Sequence, residues 1–283
     1  MNKEQELRDQ VSASYAKAVR APSDNGPCCT PIQKGVAVKV AGYTSEELEA
    51  LPADAVVNSF GCGNPLAFSE VSAGDVVVDL GSGAGIDILL AGKKVGSTGR
   101  AIGIDMTDEM IARAGENIAA SGMDNVEVRK GNIEELPVDS ESVDWVISNC
   151  VINLSPEKPR VFAEIARVLK PGGRMLVSDI VADTLPDSIR SSPALYSSCV
   201  AGAISEEDYA GGLRDAGLVD VEVRERIVYD DAQVEAFISS ELPDNASVGS
   251  GCCGSNPGSA EAIAKSLTGK IWSAKFFARK PKR

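Results

Sequence analysis

Between Asp75 and Ile180 short β-branched runs alternate with segments of helical periodicity, and that rhythm restricts the chain to an α/β fold built on a parallel sheet. Val76 to Leu80 reads as the first strand and Ile86 to Val95 as its helix. Arg100 to Asp105 is a second strand, followed by a helix from Thr107, its expected N-cap, to about Ser121. Strands are then expected at Val126 to Lys130, Val143 to Ser148 and Arg174 to Ile180, with a helix at Lys158 to Leu169. A Pro171, Gly172, Gly173 turn separates that helix from its strand.

Beyond Asp183 the rhythm changes to helical stretches at Ser191 to Ala201 and Glu206 to Ala216, an alternating strand at Val219 to Tyr229, and Ile271 to Arg279 returning as an edge strand. Asp244 to Gly258 is rich in Gly, Ser and Asn and is expected to be a mobile loop. Three regions follow: residues 1–50, an extension or lid; 51–182, the cofactor-binding domain; and 183–283, a substrate-binding region that includes the final edge strands.

The 28 Lys and Arg against 41 Asp and Glu leave a formal charge of −13, which repels nucleic acid and anionic membrane surfaces. No apolar run approaches the ~18 residues of a membrane span. Met1 to Gln10 is polar and charged with no apolar stretch behind it, so no secretory leader is expected and the cytoplasm is the expected compartment. Histidine is absent, which excludes a histidine general base, a Ser/His or Cys/His pair and a histidine metal site. Chemistry must therefore run on cysteine, carboxylates, hydroxyls, amides or a cofactor. The seven cysteines, at 28, 29, 62, 150, 199, 252 and 253, are expected to be thiols rather than structural disulfides in a cytosolic chain.

The first strand ends in Asp79 and runs into Leu80, Gly81, Ser82, Gly83, Ala84, Gly85, a glycine-rich turn at a helix N-terminus. Its G-x-G-x-G spacing departs from the dinucleotide fingerprint, and the preceding acid favours a cationic amino-acid head group over a diphosphate. Asp105, with Met106 beside it, closes the second strand where one carboxylate can accept two ribose hydroxyls. Asn132 and Ile133 follow the third strand, in position to read an adenine amino group, and Asn149 lies at the end of the fourth. These turns, in order on successive strand ends, resemble the class I S-adenosylmethionine-dependent methyltransferases over residues 72–180. The resemblance implies a Rossmann-like sheet with helices on both faces and S-adenosylmethionine as cofactor.

Cys62 lies in F-G-C-G-N-P before the glycine loop, Cys150 in S-N-C-V-I-N-L after the fourth strand, and Cys199 in C-V-A-G-A beyond the fifth. With the paired Cys28 and Cys29, these motifs resemble the arsenite methyltransferases over nearly the whole chain. The resemblance implies that Cys62, Cys150 and Cys199 hold trivalent arsenic, presented as arsenite or its thiol conjugates. It also implies that Cys28 or Cys29 pairs with Cys62 to return two electrons to arsenic, and that thioredoxin or glutathione resets the enzyme. Trivalent arsenic is soft and favours three thiolates, whereas zinc prefers four ligands from closely spaced pairs. Cys252 and Cys253 suit an accessory capture site. Two other readings stand beside this one: a methyltransferase for an ordinary metabolite whose cysteines only pack, and a non-catalytic metalloid-binding protein.

Overall fold

Val77, Val78, Asp79 and Leu80 are all buried, as a strand covered on both faces requires. They belong to the first strand of a computed structural model that describes residues 3–20, 43–49, 51–58, 64, 70–190, 192, 196, 199–231, 233–234 and 260–282. The described elements are α1 (Lys3–Arg20), α2 (Ser45–Glu49), α3 (Ala53–Val57), β1 (Val76–Leu80), α4 (Ile86–Val95), β2 (Arg100–Asp105), α5 (Asp108–Ser121), β3 (Val126–Lys130), β4 (Val143–Asn149), α6 (Lys158–Val168), β5 (Leu169–Ala182), α7 (Asp187–Arg190), α8 (Glu206–Asp215), β6 (Val219–Val228), α9 (Ala260–Leu267) and β7 (Ile271–Arg279).

The strands form one seven-stranded sheet in the order β3-β2-β1-β4-β5-β7-β6, parallel except that β7 runs antiparallel to both its neighbours. Alternate residues of β1 feed two cores. Val78 and Leu80 pack with Phe162 and Ile165 of α6 and Tyr209 and Leu213 of α8. Val77 packs on the other face with Ile88, Leu89 and Val95 of α4. Helices therefore cover both faces, as expected. The strand order reverses between β1 and β4, and at such a point the crevice beyond the strand ends is open to a ligand.

Two expectations need correction. Strand β7 is not an edge: it lies between β5 and β6, and its run from Ser273 to Ala278 is buried on both faces. The edge falls to β6, where Asp220, Glu222, Arg224, Glu225 and Arg226 keep the outer ladder charged. The Pro171, Gly172, Gly173 turn lies within β5, where a register shift from Val143↔Leu169 to Trp145↔Arg174 absorbs it as a bulge. Thr107 occupies the N-cap of α5 but makes no side-chain cap; its hydroxyl meets Ser12 of α1 instead.

Candidate active site

A cleft opens at the carboxyl ends of β1, β2 and β4. It is lined from the strands by Asp79, Asp105, Met106, Asn132, Ile133, Asn149 and Cys150, and from the glycine turn by Gly81, Ser82 and Gly83. The structure thus gathers every expected cofactor residue except Gly85, which caps α4 in a left-handed conformation behind the lining. Two of the glycines hold left-handed backbones, which favour glycine. A Cβ on Gly81, at φ 69°, would lie 2.4 Å from Val151, so only glycine lets this loop lie against the β4 turn. Gly83, at φ 52°, faces open space within the cleft.

Asp105 uses both carboxylate oxygens to hold the loop. Gly83 N–H donates to Oδ2 at 3.0 Å and Thr107 N–H to Oδ1 at 2.9 Å. Burial raises its pKa, and these backbone bonds oppose the rise. The Thr107 hydroxyl and the Met106 N–H add to these bonds. Asp79 is 2% exposed, and burial, reinforced by the charges of Asp87 and Asp105, pushes its carboxyl well above the usual carboxylate range.

Asp87, Tyr43, Arg8 and Glu134 belong to the site and were not found from the sequence. Tyr43 Oη donates to Asp87 Oδ1 at 2.8 Å, while Asn149 Nδ2 donates to Tyr43 Oη at 3.1 Å and to Asp87 Oδ2 at 3.3 Å. Burial pushes the Asp87 carboxyl up to about 6 against the pull of those two donors. Helix α1 contributes Arg8, Val11 and Tyr15 to the lining. Arg8 Nε meets Glu134 Oε1 at 3.3 Å and its other arm meets Glu157, and Ser155 Oγ donates to the same Glu134 oxygen at 2.6 Å. The one signal that marks Asp87 is an acid inside the otherwise apolar run Ile86 to Leu90.

Cys150 and Cys199 are each 3% exposed. Both hold left-handed backbones, at φ 60° and 62°, a conformation that is costly for a residue with a side chain and that clusters at functional sites. Cys199 does not lie in a helix: its N–H donates to the Tyr196 carbonyl across a turn, and Sγ donates to the Cys150 carbonyl at 2.6 Å. Cys150 is disulfide-bonded rather than a thiol, and its partner is not among the described residues. Cys28, Cys29, Cys62, Cys252 and Cys253 all lie outside the described residues, as does the loop expected at 244–258. Among the described residues no three cysteine or carboxylate side chains gather as a metal cluster.

Beneath the cysteine turn Lys158 Nζ donates to the carbonyls of Asn153 at 3.2 Å and Ser155 at 3.0 Å, and Asn153 Nδ2 donates to Ile180 O at 2.6 Å. Burial pushes Lys158 down to about 8. Asp179 is fully buried and accepts from Tyr209 Oη at 3.2 Å.

A glycine loop set between two carboxylate-bearing strand ends at this switch point defines a class I methyltransferase domain, and residues 71–217 match a family model described as a methyltransferase domain. The arsenite methyltransferase of Halobacterium salinarum is 42% identical over 231 residues, covering 77% of this chain and 59% of that protein. The human arsenite methyltransferase is 33% identical over 218 residues, covering 72% of this chain and 56% of that protein. A crystal structure of an arsenic(III) S-adenosylmethionine methyltransferase from Chlamydomonas reinhardtii superposes with a TM-score of 0.61 at 31% identity, covering 88% of this chain and 73% of that one. The chain belongs to the arsenite methyltransferase family. It spans less than two thirds of the length of the two curated relatives.

Proposed function

We propose that this chain methylates trivalent arsenic with S-adenosylmethionine as donor. The residues present fit that donor: buried Asp79 for an ammonium group, the Asp105 carboxylate for ribose hydroxyls, and Ser82 Oγ, a buried hydroxyl with no partner in the cleft. When bound, S-adenosylmethionine supplies a methyl on a sulfonium sulfur, which an arsenic lone pair takes without a general base. Cys62, Cys150 and Cys199 hold the arsenic, each replacing a hydroxide or thiol group on it. Methyl transfer raises arsenic formally from the trivalent to the pentavalent state. Two site thiolates closing to a disulfide return the two electrons, and thioredoxin or glutathione then reopens that disulfide. A compartment that keeps thiols reduced, the cytoplasm, suits this cycle.

The observation that carries the reading is Cys150. It lines the same cleft as Asp79 and Asp105, and it is already paired with another cysteine, so its sulfur belongs to a redox couple as well as to the donor site. The test is incubation of the protein with arsenite, isotopically labelled donor and excess small thiol, followed by separation of arsenic species. Label in methylated arsenic supports the proposal. Label in an organic acceptor alone, or arsenic bound without label, overturns it in favour of a metabolite methyltransferase or a binding protein respectively.

A further inference from the structure

A single helical turn, Ile152–Leu154, joins Cys150 to α6, and it has the cofactor cleft on one side and the Cys199 turn on the other. Leu154 and Ser155 line the cleft beside Cys150. The Asn153 carbonyl is the atom on which Gly202, three residues beyond Cys199, is seated, since a Cβ at Gly202 would lie 2.0 Å from it. Ser155 Oγ ties the same turn to Glu134, which follows Asn132 and Ile133 in the cleft lining. One side chain grips the turn from behind. Lys158, the first residue of α6, donates from Nζ to the Asn153 and Ser155 carbonyls at 3.2 Å and 3.0 Å.

The last carbonyls of a helical turn have no partner within it, and a cationic side chain is one group that supplies the missing donor. An ammonium carries three N–H donors, so one lysine holds two carbonyls at once. Burying that charge is costly. Burial lowers the Lys158 pKa, while the charges of Asp179, Cys199 and Glu134 pull it back up. The helix that carries Lys158 is fixed in the core by Val161, Phe162 and Ile165. Asn153 is held on its other sides by β5, through Nδ2 on Ile180 O at 2.6 Å and its N–H on the Asp179 carboxylate. We propose that Lys158 is a positioning residue for methyl transfer: by holding the Asn153 and Ser155 carbonyls it fixes where the Cys199 turn rests relative to Cys150 and to the cofactor turn at Glu134. The inference rests on the reading that Cys150 and Cys199 hold the arsenic. Lys158 acts through backbone carbonyls rather than on donor or acceptor, so its loss should be felt in the rate and not in donor binding.

Lys158→Met keeps the apolar stem and removes the donors. In the full chain under excess small thiol and saturating labelled donor, its turnover of arsenite is expected to fall by about tenfold or more, while calorimetric affinity for S-adenosylmethionine stays within about twofold. Gly202→Ala acts on the same Asn153 carbonyl from the opposite side, so the two changes together should cost less than the product of their separate losses. Losses that multiply, or a fall in donor affinity that matches the fall in rate, would make Lys158 a general stabilising residue and overturn the inference. Unchanged turnover in a folded Lys158→Met protein overturns it as well. Lys158→Gln is the second variant, for use where Lys158→Met does not fold. It keeps two N–H donors on a stem one atom shorter, so it reaches the carbonyls only if they move toward α6. The same rate loss and the same coupling to Gly202→Ala are expected of it, and losses that multiply there overturn the inference too. A wild type that yields no methylated arsenic overturns the proposed function itself, before any variant is compared.

Discussion

Cys199 Sγ donates a hydrogen bond to the carbonyl oxygen of Cys150 at 2.6 Å, tying together two cysteines that are 49 residues apart in the sequence. Both backbones are left-handed, which costs of order 1–3 kcal/mol for a residue with a side chain and persists only where surrounding contacts impose it. Those contacts are visible. Cys150 N–H donates to Ser178 O at 2.8 Å, Ala203 N–H to Val200 O at 3.0 Å and Ala182 N–H to Ile204 O at 3.1 Å, so β5 carries both turns. Strand β5, which holds the Cys150 turn through Ser178, thus also anchors the Cys199 turn through Ala182.

Gly202 is the place where this arrangement tolerates least change. A Cβ there would lie 2.0 Å from the Asn153 carbonyl oxygen, a backbone atom that no rotamer change can move. Gly202→Ala must therefore push the Cys199 turn away from the Cys150 turn. A displacement of about 1 Å at a reacting group can cost about 100-fold in rate, so arsenite methylation should fall by about that factor while donor affinity stays within about twofold. Turnover with labelled donor and calorimetry check the two halves. Unimpaired turnover would show that the spacing of the two cysteines is not what positions the arsenic.

The parts of the molecule legible in the sequence are those set by neighbouring residues. Strands Val76–Leu80, Arg100–Asp105 and Val126–Lys130 and the helix Ile86–Val95 fall where apolar periodicity and the glycine turn put them, because burial on both faces and a left-handed turn leave a local mark. The position of β7 inside the sheet is set by pairing with β5 and β6 at long range, and the alternation within Ile271–Arg279 carries no record of it. The cleft shows the same division. Asp79 and Asp105 are readable from strand ends. Tyr43 reaches Asp87 across 44 residues of sequence, and nothing around Tyr43 marks it. The turn at Cys199 escaped because its left-handed backbone is imposed by the β5 contacts and not by its own residues.

A second prediction concerns pH. Asp179 is fully buried, and burial pushes its carboxyl up to about 7 although the Lys158 ammonium pulls the other way. Its Oδ1 has no hydrogen-bond partner. Between the ordinary value of 3.8 and about 7 the folded chain keeps a proton that the unfolded chain has released. This group's contribution to stability is therefore greatest in acid, declines as pH rises through that window, and then levels off. Lys158, pushed down to about 8, stays protonated across the window. Asp179→Asn removes the titration, so its stability relative to wild type should improve as pH rises, by at most about 1.4 kcal/mol per pH unit. Urea unfolding of both proteins at about pH 5 and about pH 7 reads the difference, and a gap that does not change with pH would rule out Asp179 as the titrating group.

The last prediction separates a redox cysteine from a ligand. If Cys62 binds arsenite and later pairs with Cys28 or Cys29, its loss should abolish methylation of inorganic arsenite. Methylarsenite has one arsenic position already filled by carbon and needs two thiolates only. Cys150 and Cys199, tied together by their hydrogen bond, are the pair that should hold it. Cys62→Ser is therefore expected to keep measurable activity on methylarsenite. Cys150→Ser and Cys199→Ser should be inactive on both substrates, because a single thiolate cannot fix the lone pair toward the methyl group. Excess small thiol must be present throughout, since Cys150 cannot ligate arsenic while it is in its disulfide. Equal loss on both substrates in Cys62→Ser would make that thiol indispensable beyond its place as third ligand, and activity retained by Cys150→Ser would remove Cys150 from the site.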